Sequence, residues 1–310
     1  DQTFTNFELI LVDDGSTDCC PHICDEYAMR DSRIKVVHKE NGGVVSARQA
    51  GVAVSTGEYI ACVDGDDWIS KDYLEKFADI CNQYNADIVC CGAILAYEDK
   101  EIRRPPRVNF LGYYDRKRIE NEIFPILIER SDGVYFSPSL WAKVIRREIY
   151  QEQQLINTFV NIGEDGACVK PCIYHSQSMY VMGDCLYFYR QNPASMTKKK
   201  KAFDWNGPRI IGQHFEKQID MNELDFQEQV YRNVVHNLFN VCLSQFNRKE
   251  AYSVVTKDIK LHIRESYYYR AIKNCKYKRF TKGWWAWLVL EKEFLLAMML
   301  CNRLRKWKSL

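Results

Sequence analysis

The sequence predicts an α/β protein with a doubly wound, mainly parallel sheet, followed by a helical C-terminal region. In the first hundred residues, short apolar runs alternate with helical patterns, at positions 7–12, 34–37, 59–63 and 87–91. This alternation is typical of parallel strands joined by crossover helices. Beyond residue 202 the apolar positions keep helical spacing, as in Val230, Val234, Leu238 and Val241. We expect this last part to form a small bundle.

The first predicted strand, Phe7–Val12, ends in a polar loop that begins with Asp13 and Asp14. The loop continues with a glycine and small polar residues, which permit tight backbone geometry. After the second strand, a glycine-rich turn precedes a helix of small residues that contains Arg48. Ligands of doubly wound sheets bind outside the carboxyl ends of the strands, and the acidic loop lies at such an end.

The third predicted strand, Tyr59–Val63, runs into three carboxylates within four residues, those of Asp64, Asp66 and Asp67. Carboxylates about 4 Å apart repel by roughly 1 kcal/mol in water and by about 4 kcal/mol near a protein surface. This repulsion indicates a bound cation, and oxygen ligands without nearby Cys or His suit Mg²⁺ or Mn²⁺. The alternative is a helix N-terminus capped by Asp66 or Asp67, which explains one carboxylate well and three poorly.

The middle of the chain carries weaker patterns. Pro105-Pro106 marks a loop, the segment 113–129 includes a predicted helix, and the segment 141–147 forms a predicted strand that runs into a turn. Strands and helices therefore continue beyond the first hundred residues, but their boundaries are poorly defined by the sequence.

Two further groups of polar residues follow. Glu164 and Asp165 begin a helix, where an acidic pair is explained equally well by a helix cap and by a functional site. A predicted strand ends at Arg190 and leads to Ser195 and to four consecutive lysines, 198–201. These lysines form either a solvated loop or a cover over an anionic ligand.

The C-terminal segment is basic. Residues 257–310 hold 14 Lys and Arg against 4 Asp and Glu, whereas the rest of the chain is acidic. The tryptophan-rich run 284–290 is interrupted by charges, so no uninterrupted run reaches the roughly 18 apolar residues of a spanning helix. Residues 282–308 predict a basic amphipathic helix, which either lies on a membrane surface or packs on the protein or on a partner.

The composition is that of a soluble globular protein, with 46% hydrophobic and 27% charged residues. The thirteen cysteines include adjacent pairs and lie partly inside apolar runs, and no signal peptide is visible. This usage indicates reduced, mostly buried thiols. We expect a cytoplasmic protein without a nucleic-acid partner, peripheral on the inner face of the plasma membrane if the basic segment binds lipid.

Residues 2–197 resemble the family 2 glycosyltransferases in the order and the spacing of several motifs. The matching motifs are Asp13-Asp14-Gly15-Ser16-Thr17-Asp18, Asn41-Gly42-Gly43 with Arg48, Asp64-Gly65-Asp66-Asp67-Trp68, Gly163-Glu164-Asp165, and Tyr189-Arg190 with Ser195. The resemblance implies a GT-A nucleotide-diphospho-sugar transferase fold. It divides the chain into a nucleotide-sugar-binding half (1–100), an acceptor-binding half with the catalytic base (101–201) and a helical region with a basic tail (202–310).

The resemblance also implies an activity. It is inverting, metal-dependent transfer from a nucleotide-diphosphate sugar, most commonly a UDP-sugar, to a hydroxyl of a glycan or lipid-linked acceptor in surface polysaccharide or glycolipid biosynthesis. Asp64 and Asp66 would bind the donor and a divalent cation, Mg²⁺ or Mn²⁺, with Asp66 as the direct metal ligand. Asp165 would be the general base, with Glu164 as the second candidate.

The remaining implied roles concern the donor. Asp13 would contact the nucleobase, and Arg48 would contact the base or the phosphates, since a guanidinium suits either. Asp14 belongs to the same donor-binding set. Arg190 and Ser195 would close over the diphosphate.

The sequence departs from the family at its beginning. It starts at the equivalent of the last turn of the family's first helix, without the preceding strand. We therefore expect an incomplete sequence with one exposed apolar flank on the Phe7–Val12 strand. The alternatives are a catalytically impaired glycosyltransferase remnant and a receiver-like signalling domain, which also carries an acidic pair after its first strand.

Overall fold

The computed structural model describes residues 1–158, 160, 162–191 and 201–308, with side chains described up to Leu304. The chain divides into two structural units. Unit 1 comprises Asp1–Asn121 and Pro138–Pro193, and unit 2 comprises Glu122–Ser137 and Ala194–Leu310. A short internal segment therefore belongs with the C-terminal helices rather than with its sequence neighbours.

The strands that the structure describes all lie in unit 1. They are β1 (Leu9–Asp13), β2 (Ile34–His38), β3 (Tyr59–Ala61), β4 (Trp68–Ile69), β5 (Ile88–Ala96), β6 (Glu101–Arg104), β7 (Gly112–Asp115), β8 (Lys143–Arg146) and β9 (Ser178–Arg190). The predicted strands at 34–37, 59–63 and 141–147 are confirmed within a few residues. The last predicted strand, Leu186–Arg190, is confirmed at its end, but the observed strand begins eight residues earlier, at Ser178.

The main sheet is mixed, which corrects the expectation of mainly parallel pairing. Its order is β3-β8-β5-β9-β4, with β6 on the edge of β5 and β7 on the edge of β9. Parallel pairing occurs between β5 and β9, and the other pairs of this sheet are antiparallel. The short Tyr97–Lys100 turn explains one antiparallel pair, because so short a connection cannot return a strand in the parallel direction.

Strands β1 and β2 form a separate parallel pair, in register from Leu9 opposite Ile34 to Asp13 opposite His38. Within the described part of the chain, β1 has β2 as its strand partner. Leu9 is exposed and the three residues after it are half-buried, in line with the expected apolar flank. The paired register brings the polar C-terminal residues of the two strands together.

Unit 1 surrounds its strands with helices of very different length. These are α1 (Cys20–Arg30), α2 (Gly43–Ala53), α3 (Tyr73–Tyr84), α4 (Arg116–Arg118), α5 (Arg147–Gln153) and α6 (Glu164–His175). The 3₁₀ turn Val108–Phe110 precedes β7, and the π-helical turn Ile119–Ile123 follows α4. The helix predicted within residues 113–129 is thus replaced by short helical turns, which also include the 3₁₀ turn Phe124–Ile126. Pro125 in that turn has no backbone N–H to donate to a helical hydrogen bond.

The core of unit 1 lies between α3 and the main sheet. Tyr73 and Phe77 of α3 are fully buried against residues of β5, β8 and β9. Gly92 of β5 marks a shift in the β5–β9 register, where an added Cβ would lie 2.8 Å from both Arg104 O and Cys185 Sγ. This crowding explains why glycine occupies the bulge.

Unit 2 is helical, as the spacing of its apolar residues predicts. Its helices are α7 (Gly207–Gln218), α8 (Phe226–Gln245), α9 (Tyr252–Ile263), α10 (Ser266–Asn274), α11 (Lys282–Glu291) and α12 (Leu295–Lys308). Helix α8 is central and packs against the other five, and the predicted core series Val230, Val234, Leu238 and Val241 is buried in it. No helix in the described ranges is both long enough and apolar enough to cross a membrane.

The internal segment 122–137 is held on α8 by buried polar contacts. Gln229 accepts hydrogen bonds from the backbone N–H groups of Ile128 and Glu129 and donates one to Phe124 O. Arg232, which is almost fully buried, donates to Glu129 O. Buried polar groups are tolerated when they are paired in this way, and here they tie the segment to unit 2.

Candidate active site

The end of β1 carries two aspartates with different surroundings. Asp14 accepts hydrogen bonds from the backbone N–H groups of Gly42 (3.0 Å) and Gly43 (2.7 Å) and from Lys39 Nζ (2.6 Å). These contacts fix the start of α2 relative to β1. Burial raises the pKa of Asp14, but the Lys39 and backbone hydrogen bonds outweigh it and lower that pKa overall.

Asp13 is buried and faces His38. The carboxylate of Asp13 accepts Ser16 N–H at 3.0 Å, and its other oxygen lies 3.0 Å from His38 Nδ1. The second ring nitrogen of His38 lies 3.1 Å from an Asp25 oxygen. Because an ionised carboxylate only accepts hydrogen bonds, both contacts are satisfied together only by a protonated ring. The His38 hydrogen bond and those from Ser16 lower the pKa of Asp13 to about 2, and Asp13 and Asp25 raise the pKa of His38.

The loop between β1 and α1 requires its glycine. Gly15 has φ +75°, and an added Cβ would lie 2.7 Å from Asn41 N. A side chain at this position would be strained both by the left-handed backbone and by contact with the turn before α2. The loop and that turn therefore pack backbone to backbone.

Arg48 connects two groups of acidic residues. Its guanidinium is largely buried, donates to Asp165 Oδ1 at 2.6 Å and to Asp64 Oδ1 at 3.2 Å, and lies 4.0 Å from Glu164 Oε1. Helix α2 thus supplies the cation, the turn after β3 supplies Asp64, and the first turn of α6 supplies the other two carboxylates. One positive charge serves three carboxylates.

Two of these carboxylates, those of Asp64 and Glu164, have raised pKa values. Burial is the main cause for Asp64, whose pKa is raised although Arg48 opposes the change. Burial and then the charge of Asp165 raise the pKa of Glu164 to about 7. Three ionised carboxylates beside one guanidinium would carry a local charge of about −2, so this region favours an additional cation.

The acidic turn after β3 is held by Tyr187 and Arg190 of β9. The Tyr187 hydroxyl accepts Asp64 N–H at 3.1 Å and donates to Asp67 Oδ2 at 2.7 Å. The backbone N–H of Arg190 donates to Asp67 Oδ1 at 2.8 Å, and Arg190 Nε donates to the carbonyl oxygen of Asp66 at 2.6 Å. Asp67 therefore anchors the turn to β9, and the predicted helix cap by Asp66 or Asp67 is wrong, because the N-cap residue of α3 is Asp72.

Asp66 is exposed, and its carboxylate has no hydrogen bond or ion pair in the described part of the chain. Asp64 offers a second carboxylate from the same turn. No group of three or more His, Cys, Asp and Glu side chains is placed to hold a metal ion in the ranges that the structure describes. Mg²⁺ is usually bound by one or two carboxylates together with substrate phosphates and water, so the residues present fit a divalent cation held jointly with a phosphate ligand.

The first turn of α6 is not a simple acidic cap. Gly163 is the N-cap residue, in the left-handed conformation with φ 85° and without a side-chain capping bond. Asp165 instead directs one carboxylate oxygen to Arg48 and accepts Leu140 N–H with the other at 3.1 Å. Asp165 therefore does not act as a helix cap, and a functional role for Glu164 and Asp165 stays a prediction.

The structure thus brings together Arg48, Asp64, Glu164 and Asp165, and it places Asp13 and Asp14 at the end of β1. Arg190 contacts the acidic turn and lies over the Trp68 ring, 5.1 Å from its centroid. Ser195 and Lys198–Lys200 lie outside the described residues. No contact tests a donor-binding role for any of these side chains, so those roles stay predictions.

Three residues near these groups were missed at the level of sequence. His38 is the strand partner of Asp13, which parallel pairing of the first two predicted strands implies. Tyr187 lies within three consecutive aromatic residues, Tyr187-Phe188-Tyr189, which carry no local sign of a polar role. Lys143 is buried and donates to Ser139 O at 2.5 Å; burial lowers its pKa, whereas Asp165 is among the charges that raise it.

Comparison with known proteins identifies the family. The model of glycosyl transferase family 2 matches residues 1–150. Glycosyltransferase GlyG of Streptococcus pneumoniae serotype 4 is 31% identical over 226 residues, covering 70% of this chain and 71% of GlyG. The uncharacterized glycosyltransferase EpsJ of Bacillus subtilis is 30% identical over 220 residues, covering 70% of this chain and 60% of EpsJ.

The chain covers only part of some of its relatives, and its fold is similar to that of a solved structure. The chain spans 60% of EpsJ and 28% of glycosyltransferase GlyA of S. pneumoniae serotype 4. The crystal structure of S. aureus TarS 1-349 in complex with UDP is similar in fold, with a TM-score of 0.57, 16% identity, and coverage of 95% of this chain and 81% of that chain. These matches exclude the receiver-like alternative. The chain belongs to the family 2 glycosyltransferases and has their GT-A fold, followed by a C-terminal helical region.

Proposed function

We propose that this chain is an inverting glycosyltransferase that transfers a sugar from a UDP-sugar to a hydroxyl acceptor in surface polysaccharide or glycolipid biosynthesis. The observation that carries the proposal is the contact of one guanidinium, that of Arg48, with both Asp64 and Asp165. The family resemblance assigns these carboxylates to the donor and to the acceptor proton. A uridine donor is supported by S. aureus TarS, crystallised with UDP and with UDP-GlcNAc.

Asp165 is the proposed general base. Its carboxylate is oriented by Arg48 on one oxygen and by Leu140 N–H on the other. As the acceptor oxygen bonds to the anomeric carbon, the acceptor proton moves to a free lone pair of Asp165. The bond from that carbon to the diphosphate breaks, and its electron pair leaves with the nucleotide. Attack opposite the leaving group inverts the anomeric configuration.

Asp66 and Asp64 are the proposed ligands of a divalent cation, Mg²⁺ or Mn²⁺. Asp66 is exposed, whereas Asp64 shares its Oδ1 with Arg48 at 3.2 Å, so Asp66 is the more accessible ligand. When bound, such a cation neutralises charge that develops on the diphosphate leaving group. Arg48 and Arg190 add fixed positive charge on the protein side.

Asp13 is the proposed contact for the nucleobase. Its low pKa keeps it ionised, so it accepts hydrogen bonds and does not donate them. This property favours a base with an N–H group on its pairing edge, such as uracil. Asp14 acts by fixing the start of α2, and thereby the helix that carries Arg48.

The proposed place of action is the cytoplasm, at the inner face of the membrane that would carry a lipid-linked acceptor. All thirteen cysteines are free thiols, which supports a reducing compartment. The proposal does not require a nucleic-acid partner.

The test combines binding and turnover in the purified chain. UDP binding would be followed by calorimetry with and without Mn²⁺, and donor turnover would be followed across a panel of nucleotide sugars. Asp66→Ala should remove the metal-dependent part of UDP binding. Asp165→Asn should retain UDP binding and lower turnover at least about a thousandfold, within the range of general-base contributions. Asp99→Ala, which changes an exposed aspartate in the β5–β6 turn, is the matched control.

Two outcomes would contradict the proposal. Full turnover in the Asp165→Asn variant would remove Asp165 as the base. A product with the same anomeric configuration as the donor, determined by NMR, would exclude inversion. Absence of UDP binding and of turnover in the wild-type protein would instead favour the impaired remnant.

A further inference from the structure

Helix α12 has an apolar face that the rest of unit 2 leaves open. Leu296, Leu300 and Leu304 are 58%, 48% and 59% exposed. Their spacing of four residues places them along one side of the helix. We call these three side chains the leucine stripe.

The opposite side of α12 is buried. Leu295 and Met298 are 5% and 0% exposed, and α12 packs on α8, as α11 does through Ala286 and Leu290. The buried side of α12 therefore packs on the protein, which is one of the two alternatives for this segment. It does not account for the leucine stripe.

Exposed aromatic side chains occur at the start of α11. Phe280 is 80% exposed and Trp285 is 53% exposed, and both rings contact Trp284, with centroids 5.4 Å and 4.8 Å apart. Large aromatic rings on a polar surface are typical of segments that sit at a membrane–water interface.

The same segment is strongly basic. Residues 276–310 contain nine Lys and Arg and two Glu, a net charge of +7. Both glutamates are already in ion pairs, Glu291 with Lys273 and Glu293 with Arg264. Several exposed cations have no ion-pair partner among the residues that the structure describes, namely Lys278, Arg279, Lys282 and Arg303.

We propose that the leucine stripe binds the surface of an anionic lipid bilayer. The leucines enter the headgroup boundary, and the exposed cations Lys278, Arg279, Lys282 and Arg303 contact lipid phosphates. Charge favours this occupant over a second copy of the chain, because a symmetric contact through this segment would bring two sets of like charges together. An anionic surface is complementary to them.

The experiment uses the full chain and vesicle flotation. Vesicles of phosphatidylcholine with phosphatidylglycerol are compared with vesicles of phosphatidylcholine alone, at low and high salt. Wild-type protein should float with the anionic vesicles and lose most of this binding in high salt. The triple variant Leu296→Gln, Leu300→Gln, Leu304→Gln should bind roughly tenfold less. Leu261→Gln, which changes a leucine 67% exposed on α9, should bind like the wild type.

Other results would overturn the proposal. Equal flotation of the triple variant and the wild type would remove the stripe as the binding surface. Equal binding to neutral vesicles would remove the charge argument. A dimer in analytical ultracentrifugation that the triple variant abolishes, without vesicle binding, would assign the stripe to a second copy. Unchanged thermal unfolding of the triple variant shows that lost flotation is not lost folding.

Discussion

Arg48 Nη1 lies 2.6 Å from Asp165 Oδ1, although the two residues are 117 positions apart in the sequence. Arg48 therefore links α2 to the first turn of α6, and it also contacts Asp64 in the acidic turn. It also restrains Asp165, because a lone pair that accepts from a guanidinium is less available for a proton. In the proposed function, a bound donor that attracts Arg48 would weaken the contact of Arg48 with Asp165 and leave Asp165 free to accept a proton.

Removal of Arg48 should destabilise the protein and stop transfer. In Arg48→Ala, Asp64, Glu164 and Asp165 remain partly buried without their cation, which should lower the free energy of unfolding by about 3 kcal/mol. Arg48→Lys should recover part of the stability but little turnover, since one ammonium cannot match the guanidinium fork. Urea unfolding and donor turnover measure the two effects.

The control for Arg48 is Arg104→Ala, which removes an exposed arginine of β6. It should unfold at the wild-type urea concentration. An Arg48→Ala variant as stable as Arg104→Ala would show that the carboxylates are neutral or relaxed, and would contradict the ion-pair interpretation.

Removal of two buried tyrosine hydroxyls of the same core should change the free energy of unfolding by different amounts. Tyr187→Phe removes the bridge between Asp64 N–H and Asp67 and should lower the free energy of unfolding by about 1–2 kcal/mol. Tyr73→Phe removes a buried hydroxyl that has no hydrogen-bond partner, and should be neutral or slightly stabilising. Chemical unfolding of both variants makes the comparison, and equal losses would argue against the bridge.

The Tyr187→Phe variant should also bind UDP with Mn²⁺ more weakly, because the acidic turn loses its anchor on β9. Tyr73→Phe should bind as the wild type does. A Tyr187→Phe variant with unchanged metal-dependent binding would separate the stability of the turn from its function.

His38 should make UDP binding depend on pH. Its pKa is raised by Asp13 and then by Asp25, so the protonated ring holds Asp13 fully at low pH. The contact is lost as the pH rises through this raised pKa, above the usual value of about 6.5. UDP affinity should fall roughly fivefold over that range.

His38→Asn should bind UDP more weakly at low pH and show no such fall. NMR titration of the His38 ring measures the pKa directly, and Asp25→Asn should lower it. Binding of UDP that does not depend on pH while the ring titrates would exclude His38 from the orientation of Asp13. Binding that does not depend on Asp13 would instead contradict the proposed base contact.

Glu8 should stabilise the protein against acid. Its carboxylate accepts from Lys35 Nζ at 2.7 Å and from the N–H groups of Thr56 (2.5 Å) and Gly57 (2.8 Å). Burial raises the pKa of Glu8, but these hydrogen bonds outweigh it and lower the pKa to about 2. The stabilisation is complete above the usual pKa of about 4.3 and is lost as the pH falls towards 2.

Glu8→Gln should therefore unfold at a lower urea concentration than the wild type at pH 7, and the difference should shrink below pH 4. Glu98→Gln, an exposed glutamate in the β5–β6 turn, serves as the control. A constant difference between Glu8→Gln and the wild type at every pH would show that the charge of Glu8 is not the cause.

Most elements of the first hundred residues were predictable because their signals are local, although β4 was not predicted. Phe7–Val12 and Tyr59–Val63 are short apolar runs of strand length, and the acidic motifs follow them directly. The placement of β8 between β3 and β5 was not predictable, since it pairs segments more than fifty residues apart. Periodicity describes a strand but not its neighbours.

In the candidate site, too, residues in short motifs were predictable and contacts between distant residues were not. Asp64, Asp66 and Asp165 were selected from short motifs, and their roles stay predictions, whereas the contact of Arg48 with Asp165 depends on how α2 and α6 are placed in unit 1. His38 was missed because its partner Asp13 lies 25 positions earlier. Tyr187 was missed because an apolar run gave no sign of its hydroxyl contacts.

The assignment of residues 122–137 to unit 2 affects how the protein can be made and divided. Gln229 and Arg232 hold this segment through its backbone, and they are synthesised about a hundred residues after it. The segment must wait for α8 before its buried groups are paired, so unit 2 cannot fold in chain order. A truncation near residue 201 would remove the helix that covers Leu127 and Ile128, and would expose these two side chains, both of which are fully buried. Expression of residues 1–201 alone should therefore yield an aggregation-prone protein.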